Sequence, residues 1–209
     1  MGRCTRLFYP PYRMLDAQLY IACLDLTDRR VIVVGAGPMA DEKAEGLRSC
    51  GAKVEHILPV DYTPDVLEGA FLVMVATEDE DFNRTVFRAA EERSMFVNVA
   101  DVPEMCNLIL PAITRDGPLA VAISTSGASP ALAKRMKREA AEMFDHAYSQ
   151  LAAILDDVRP WAKEHLPDYE ARRDFFDSIV NGDPDPIDLL RRGRIADVKT
   201  LIERAQEQR

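Results

Sequence analysis

The chain has 209 residues, a net charge of −9 and 47% hydrophobic residues, a size and balance that build one well-buried domain with a smaller appendage and exclude disordered and fibrous classes. The acidic balance argues against nucleic acid and anionic membrane as partners. No apolar run approaches the roughly 20 residues of a membrane span, and the charged, proline-bearing start MGRCTRLFYPPYRMLDAQ is unlike a signal peptide, so the expected location is the cytoplasm.

Residues 1–18 read as an irregular N-terminal arm. From Leu19 the pattern changes: LYIACLDL reads as a short apolar strand, TDRR as a turn, and VIVVGAG as a fully apolar strand running into glycines. ADEKAEGLRSCGA has helical spacing at Ala40, Ala44 and Leu47 with Gly51 closing it, and KVEHIL follows as a strand. AFLVMVATED, MFVNVAD and PLAVAIST are further strands, with a helix over FNRTVFRAAEERS. Alternating strands and helices predict a parallel, Rossmann-like α/β sheet over 19–123. Beyond Pro130 the chain reads as helical: a long stretch through ALAKRMKREAAEMFDHAYSQLAAILDDV interrupted at Pro160, then YEARRDFFDSIV, and after NGDPDP a last piece from Ile187. Residues 124–150 are expected to bridge and pair subunits, and 151–209 to form a small helical domain.

The spacing Gly35, Gly37, Ala40 is G-x-G-x-x-A between a strand and a helix. Gly35 permits the tight turn, Gly37 lets backbone approach a pyrophosphate, and Ala40 allows helix and strand to pack closely, while the helix N-terminus supplies N–H groups and a favourable dipole. Gly35, Ala36, Gly37, Pro38, Met39 and Ala40 are therefore the expected dinucleotide site; the bland alternative is an ordinary strand-to-helix turn. An acid near the end of the second strand would bond the adenine ribose. Asp61 is nearly in place and Glu55 is an alternative. No Lys or Arg lies between Lys53 and Arg84, which favours NAD over NADP.

Thr77 and Asn98, with Asp101, sit at predicted carboxyl ends of strands, where open α/β sheets bind ligands. An acid there is placed to take a proton while hydride leaves a substrate, although Asp101-Val102-Pro103 also reads as a plain turn. Ser124-Thr125-Ser126-Gly127-Ala128-Ser129-Pro130 has Ser129 and Pro130 in N-cap and first-turn positions. Its hydroxyls, with Lys134, Arg135, Lys137 and Arg138 just beyond, read either as a well-made helix start or as a carboxylate cradle. Cys4, Cys23, Cys50 and Cys106 are scattered and read as free thiols; with His56, His146 and His165 far apart, no metal site is expected.

The segments LDLTDRRVIVVGAGPMADEKAEGL and ATEDEDFNRTVFRAAEERSMFVNVADVPEMCNLILPAITRDGPLAVAISTSGASPALAKRMKRE resemble the precorrin-2 dehydrogenase family, which also supplies the N-terminal module of siroheme synthase. The match covers about residues 19–140, and the helical tail fits more loosely. The resemblance implies that NAD accepts a hydride from precorrin-2 while a proton is lost, giving sirohydrochlorin. It implies that Asp101 is the general base, that Ser124, Thr125, Ser126, Gly127, Ser129, Lys134 and Arg135 lie by a tetrapyrrole with many carboxylates, and that the protein is a homodimer paired through the helix from Ala131 to Leu155. Members that also insert iron use the same aspartate, so a bifunctional dehydrogenase and ferrochelatase is one alternative; a non-catalytic NAD sensor is another. Three departures stand out. Only PVDYTPDV connects the second strand to LEGAFLV, where the family has a helix and a further strand. Glu42 replaces an arginine common beside Lys43, and Ser126 replaces a glycine. Without a methyltransferase domain, the chain resembles the stand-alone enzyme.

Overall fold

The computed structural model describes residues 19–208; the N-terminal arm of 1–18, with Cys4, lies outside them. The chain forms two units, one running to Leu110 and taking in Ser126–Ala128, the other comprising Pro111–Thr125 and the chain from Ser129 onward.

The first unit is a four-stranded parallel sheet in the order β2-β1-β3-β4, with β1 at Arg30–Gly35, β2 at Lys53–Ile57, β3 at Leu72–Ala76 and β4 at Phe96–Val99. Because β1 and β3 are covered on both faces, their residues need no polar alternation, and both read as continuous apolar runs. Val31, Val33, Leu72 and Met74 pack on one side with Ala40, Ala44 and Leu47 of helix α1 (Pro38–Arg48). Ile32, Val34, Val73 and Val75 pack on the other with Val86, Ala89 and Ala90 of helix α2 (Glu80–Glu91).

The connection from β2 to β3 is two single 3-10 turns, Pro59–Asp61 and Pro64–Leu67, so a helix and a strand are absent and β2 becomes the edge of the sheet, as the short PVDYTPDV connection implies. Leu67 is fully buried and fills part of the core the absent helix would occupy. Arg30 secures this abbreviated edge. Its guanidinium meets both Glu55 carboxylate oxygens at 2.7 Å and donates to the Glu68 carbonyl at 2.7 Å; the pairing holds the Glu55 carboxyl below its ordinary range.

In the second unit, β5 (Ala112–Asp116) and β6 (Leu119–Ile123) form an antiparallel hairpin. Helices α3 (Pro130–Met143), α4 (His146–His165), α5 (Tyr169–Val180), α6 (Pro186–Arg191) and α7 (Ile195–Glu207) follow. Their core gathers Leu151, Ala162, Phe175, Ile179, Leu190, Val198 and Ile202. Among the described residues no helix is long and apolar enough to cross a membrane.

Four sequence readings are corrected. LYIACLDL forms no strand: Tyr20 is 94% and Ile21 74% exposed, and only Leu26 reaches the core. PLAVAIST pairs in the hairpin and not in the parallel sheet, so the nucleotide-binding sheet ends before residue 123. The long helix breaks at Phe144–Asp145, where Asp145 caps α4, and continues through Pro160; Pro160, which has no N–H for the carbonyl four residues back, and Asp156 are both exposed. The apolar stretch from Ala131 to Leu155 therefore belongs to two helices. The last piece likewise divides at Gly193, whose φ of +71° ends α6.

Candidate functional site

A cleft of about 800 Å³ opens at the carboxyl ends of the parallel strands, lined among others by Ala36, Met39, Thr77, Asn83, Asp101 and Glu104. Each wall has a local cause. Gly35 is held so closely to β3 that a Cβ there would stand 2.4 Å from the Ala76 carbonyl oxygen, which only glycine satisfies. Gly37 caps α1 with φ 81° and ψ −173°, a region open essentially to glycine alone, and a Cβ there would meet nothing within 4 Å. The cap carries no side-chain hydrogen bond and Pro38 occupies the first turn, so the Met39 and Ala40 N–H groups of α1 are left to a ligand. Open space before an uncapped helix start, beside glycine-only backbone, fits a pyrophosphate.

Opposite, Thr77 follows the end of β3 and is fixed by Asn83 of α2. The Thr77 hydroxyl donates to Asn83 Oδ1 at 2.6 Å and the Asn83 amide returns a bond to the Thr77 carbonyl at 3.0 Å. Asn83 is 2% exposed and escaped the sequence reading. Its signal was a polar residue in the buried stripe Asn83, Val86, Ala90 of α2, where an amide must find partners.

Asp101 follows β4 at φ +59°, a left-handed position that aspartate tolerates better than most residues. The segment behind it is clamped by Cys106: Val99 N–H donates to its sulfur at 3.2 Å, and the thiol lies 3.3 Å from the Val99 and Val102 carbonyls. Burial pushes that thiol's pKa up, keeping it a neutral hydrogen-bonding group. Asn107 completes the edge, accepting from Val97 N–H at 2.7 Å and donating to the Met95 carbonyl at 2.9 Å.

The structure thus brings Ala36, Pro38, Met39, Thr77 and Asp101 to one cleft. Asn98 is not among the residues that line the cleft; its amide donates to the Leu108 carbonyl at 2.9 Å. Asp61 is exposed in its 3-10 turn, and Pro59 is the residue of that turn that lines the cleft. In the Ser124–Ser129 segment, Ser129 Oγ accepts from Leu132 N–H at 3.2 Å to cap α3, and Thr125 Oγ1 accepts from Ser129 N–H at 3.1 Å. Both hydroxyls serve the turn itself. Ser126 and Gly127 have positive φ, Lys134 is exposed, and Arg135 pairs with Glu139 at 2.7 Å. No group of three or more metal-ligating side chains occurs among the described residues.

Sheet, glycine turn and cleft define a Rossmann-like α/β protein with an open cleft at its strand ends. Comparison with known proteins agrees: an NAD(P)-binding family matches residues 22–112, the sirohaem biosynthesis protein central region 116–142, and the sirohaem synthase dimerisation region 147–205. Siroheme synthase of Thioalkalivibrio sulfidiphilus is 35% identical over 202 residues, covering 87% of this chain and 41% of that protein. The Pseudomonas paraeruginosa siroheme synthase is 33% identical over 197 residues, covering 85% and 42%. The chain thus spans about two-fifths of the length of these relatives. The solved structure of SirC, precorrin-2 dehydrogenase, matches with a TM-score of 0.71 and 25% identity, covering 89% of this chain and all of that one. The three matched regions follow one another from residue 22 to residue 205, so the chain carries the NAD(P)-binding, central and dimerisation regions found in sirohaem biosynthesis proteins.

Proposed function

We propose that this chain is an NAD-dependent dehydrogenase that converts precorrin-2 to sirohydrochlorin, with Asp101 as the general base. The observation that carries this reading is that Asp101 lines the same cleft as Ala36, Pro38 and Met39 of the glycine turn. Gly35 to Ala40 hold the pyrophosphate on the uncapped N-terminus of α1, and Thr77 borders the dinucleotide from β3. NAD is favoured over NADP because no cation lies between Lys53 and Arg84 to meet a 2′-phosphate and Asp61 follows the second strand. When bound, the nicotinamide supplies the acceptor for the hydride, which carries two electrons from the substrate. The Asp101 carboxylate takes the proton lost in the same oxidation, and the macrocycle keeps the new double bond. Substrate carboxylates are met by the Ser124, Thr125, Ser126, Gly127 and Ser129 turn and by Lys134, with Arg135 shared with Glu139. The match of 147–205 to a dimerisation region supports a homodimer, and a cytoplasmic location accompanies this reading.

Purified protein given precorrin-2 and NAD yields NADH and sirohydrochlorin in equal amounts. Asp101→Asn lowers kcat by at least about a hundredfold, the scale of general-base catalysis, while its NAD affinity stays within about twofold. A parent protein that binds NAD but forms no NADH from precorrin-2 overturns the assignment of substrate; an Asp101→Asn variant with parental kcat overturns the assignment of the base.

A further inference from the structure

On the β2 side of the glycine turn, His56 lies beside the Gly35 carbonyl. The β1–β2 ladder ends at Val34 and Ile57, so the Gly35 carbonyl lies beyond the last strand pair. His56 Nε2 stands 3.0 Å from that oxygen. A carbonyl only accepts, so Nε2 carries the proton and donates. On the other side of the ring, Nδ1 lies 3.8 Å from Asp41 Oδ1 in the first turn of α1, and the histidine side chain is 26% exposed. One imidazole therefore joins β2 to the glycine turn.

A trans peptide is planar, with its C=O and N–H pointing in opposite directions. Fixing the Gly35 carbonyl toward His56 also fixes the Ala36 N–H on the opposite edge of the same unit. Ala36 lines the cleft. From the other flank, the Ala76 carbonyl stands where a Gly35 Cβ would be, so the peptide is gripped between β3 backbone and the β2 imidazole. We infer that His56 is a positioning residue for dinucleotide binding, which presets the Gly35–Ala36 peptide. It lowers the cost of ordering the turn around a pyrophosphate and takes no part in hydride or proton transfer. The inference rests on the dinucleotide-binding part of the proposed function and not on the identity of the substrate.

The test uses the full chain with NAD as the probe, followed by calorimetric titration, and compares His56→Ala with His56→Gln, whose amide N–H reaches toward the same carbonyl. Loss of one preorganising hydrogen bond raises Kd for NAD roughly tenfold in the alanine variant, and glutamine restores it to within about threefold of the parent. In turnover the alanine variant shows the same rise in KM for NAD, with kcat at saturating NAD reduced less than about twofold. Thermal unfolding without NAD stays within about 2–3 °C of the parent. Unchanged NAD affinity in His56→Ala overturns the inference, as does an alanine effect confined to kcat. Equal weakening in both variants with a large fall in unfolding temperature also overturns it, because the histidine would then be structural only. Binding is read without precorrin-2, so failure of the substrate assignment leaves this result interpretable.

Discussion

Two turns in this chain run from a strand into a helix through small and glycine residues, and they treat the helix N-terminus in opposite ways. At Gly35–Ala40 the cap is a glycine with no side chain to offer and the following residue is proline, so the first N–H groups of α1 receive no side-chain cap among the described residues. At Ser124–Pro130 the cap is Ser129, whose hydroxyl receives the Leu132 N–H while Thr125 receives the Ser129 N–H. The first helix start has no side-chain cap; the second receives one from within its own turn. Hydroxyl-rich sequence before a helix signals a finished cap as readily as a ligand cradle, and the more reliable sign of an anion site is a cap that lacks a side chain.

The largest effect that would break this contrast is at Gly35. Gly35→Ala places a methyl 2.4 Å from the Ala76 backbone oxygen, and two central strands cannot separate without opening the core on both faces. Denaturant unfolding should show a loss of ~3 kcal/mol, the upper end of ordinary overpacking. Gly37→Ala is the informative companion, because its Cβ would meet nothing. Its stability cost is the torsional one, about 1–3 kcal/mol for a non-glycine residue in that region. Close approach of this backbone to a pyrophosphate leaves no room for the added methyl, so NAD affinity should fall more than about tenfold, beyond what the change in stability alone predicts. A Gly37→Ala protein that binds NAD as the parent does would remove the pyrophosphate from this turn.

The sequence discloses the first turn well because three independent signals coincide there: a continuous apolar strand, glycines at fixed spacing, and the helical repeat of Ala40, Ala44 and Leu47. The missing helix and strand were equally legible, since eight residues cannot form them. The failures share a different cause. LYIACLDL is as apolar as a strand, but β2 forms the sheet edge on that side with charged Lys53 and Glu55, and hydrophobicity alone supplies no pairing partner. PLAVAIST alternates between more and less exposed positions along β6, the mark of a half-covered antiparallel strand. The Asp116-Gly117 pair before it, with Gly117 at φ +51°, is a hairpin signal. His56 stayed hidden for another reason: it acts on the Gly35 carbonyl, 21 residues away, and such a pairing depends on register that composition does not encode.

The smallest expected effect tests the other half of the contrast. Ser129→Ala removes the hydroxyl that receives the Leu132 N–H, while Pro130, at the first helical position, has no N–H to satisfy. The loss is that of an ordinary N-cap, ~1 kcal/mol by denaturant unfolding. Thr125 keeps its bond from the Ser129 backbone N–H, so the turn retains one of its two closures. NAD affinity, measured by the same titration, should stay within about twofold, because the proposed dinucleotide site lies at the start of α1. An effect on KM for the tetrapyrrole beyond the loss of stability would mean that Ser129 serves substrate as well as helix. A change confined to stability would assign its hydroxyl to the cap, leaving Ser126, Gly127 and Lys134 to meet the substrate's carboxylates.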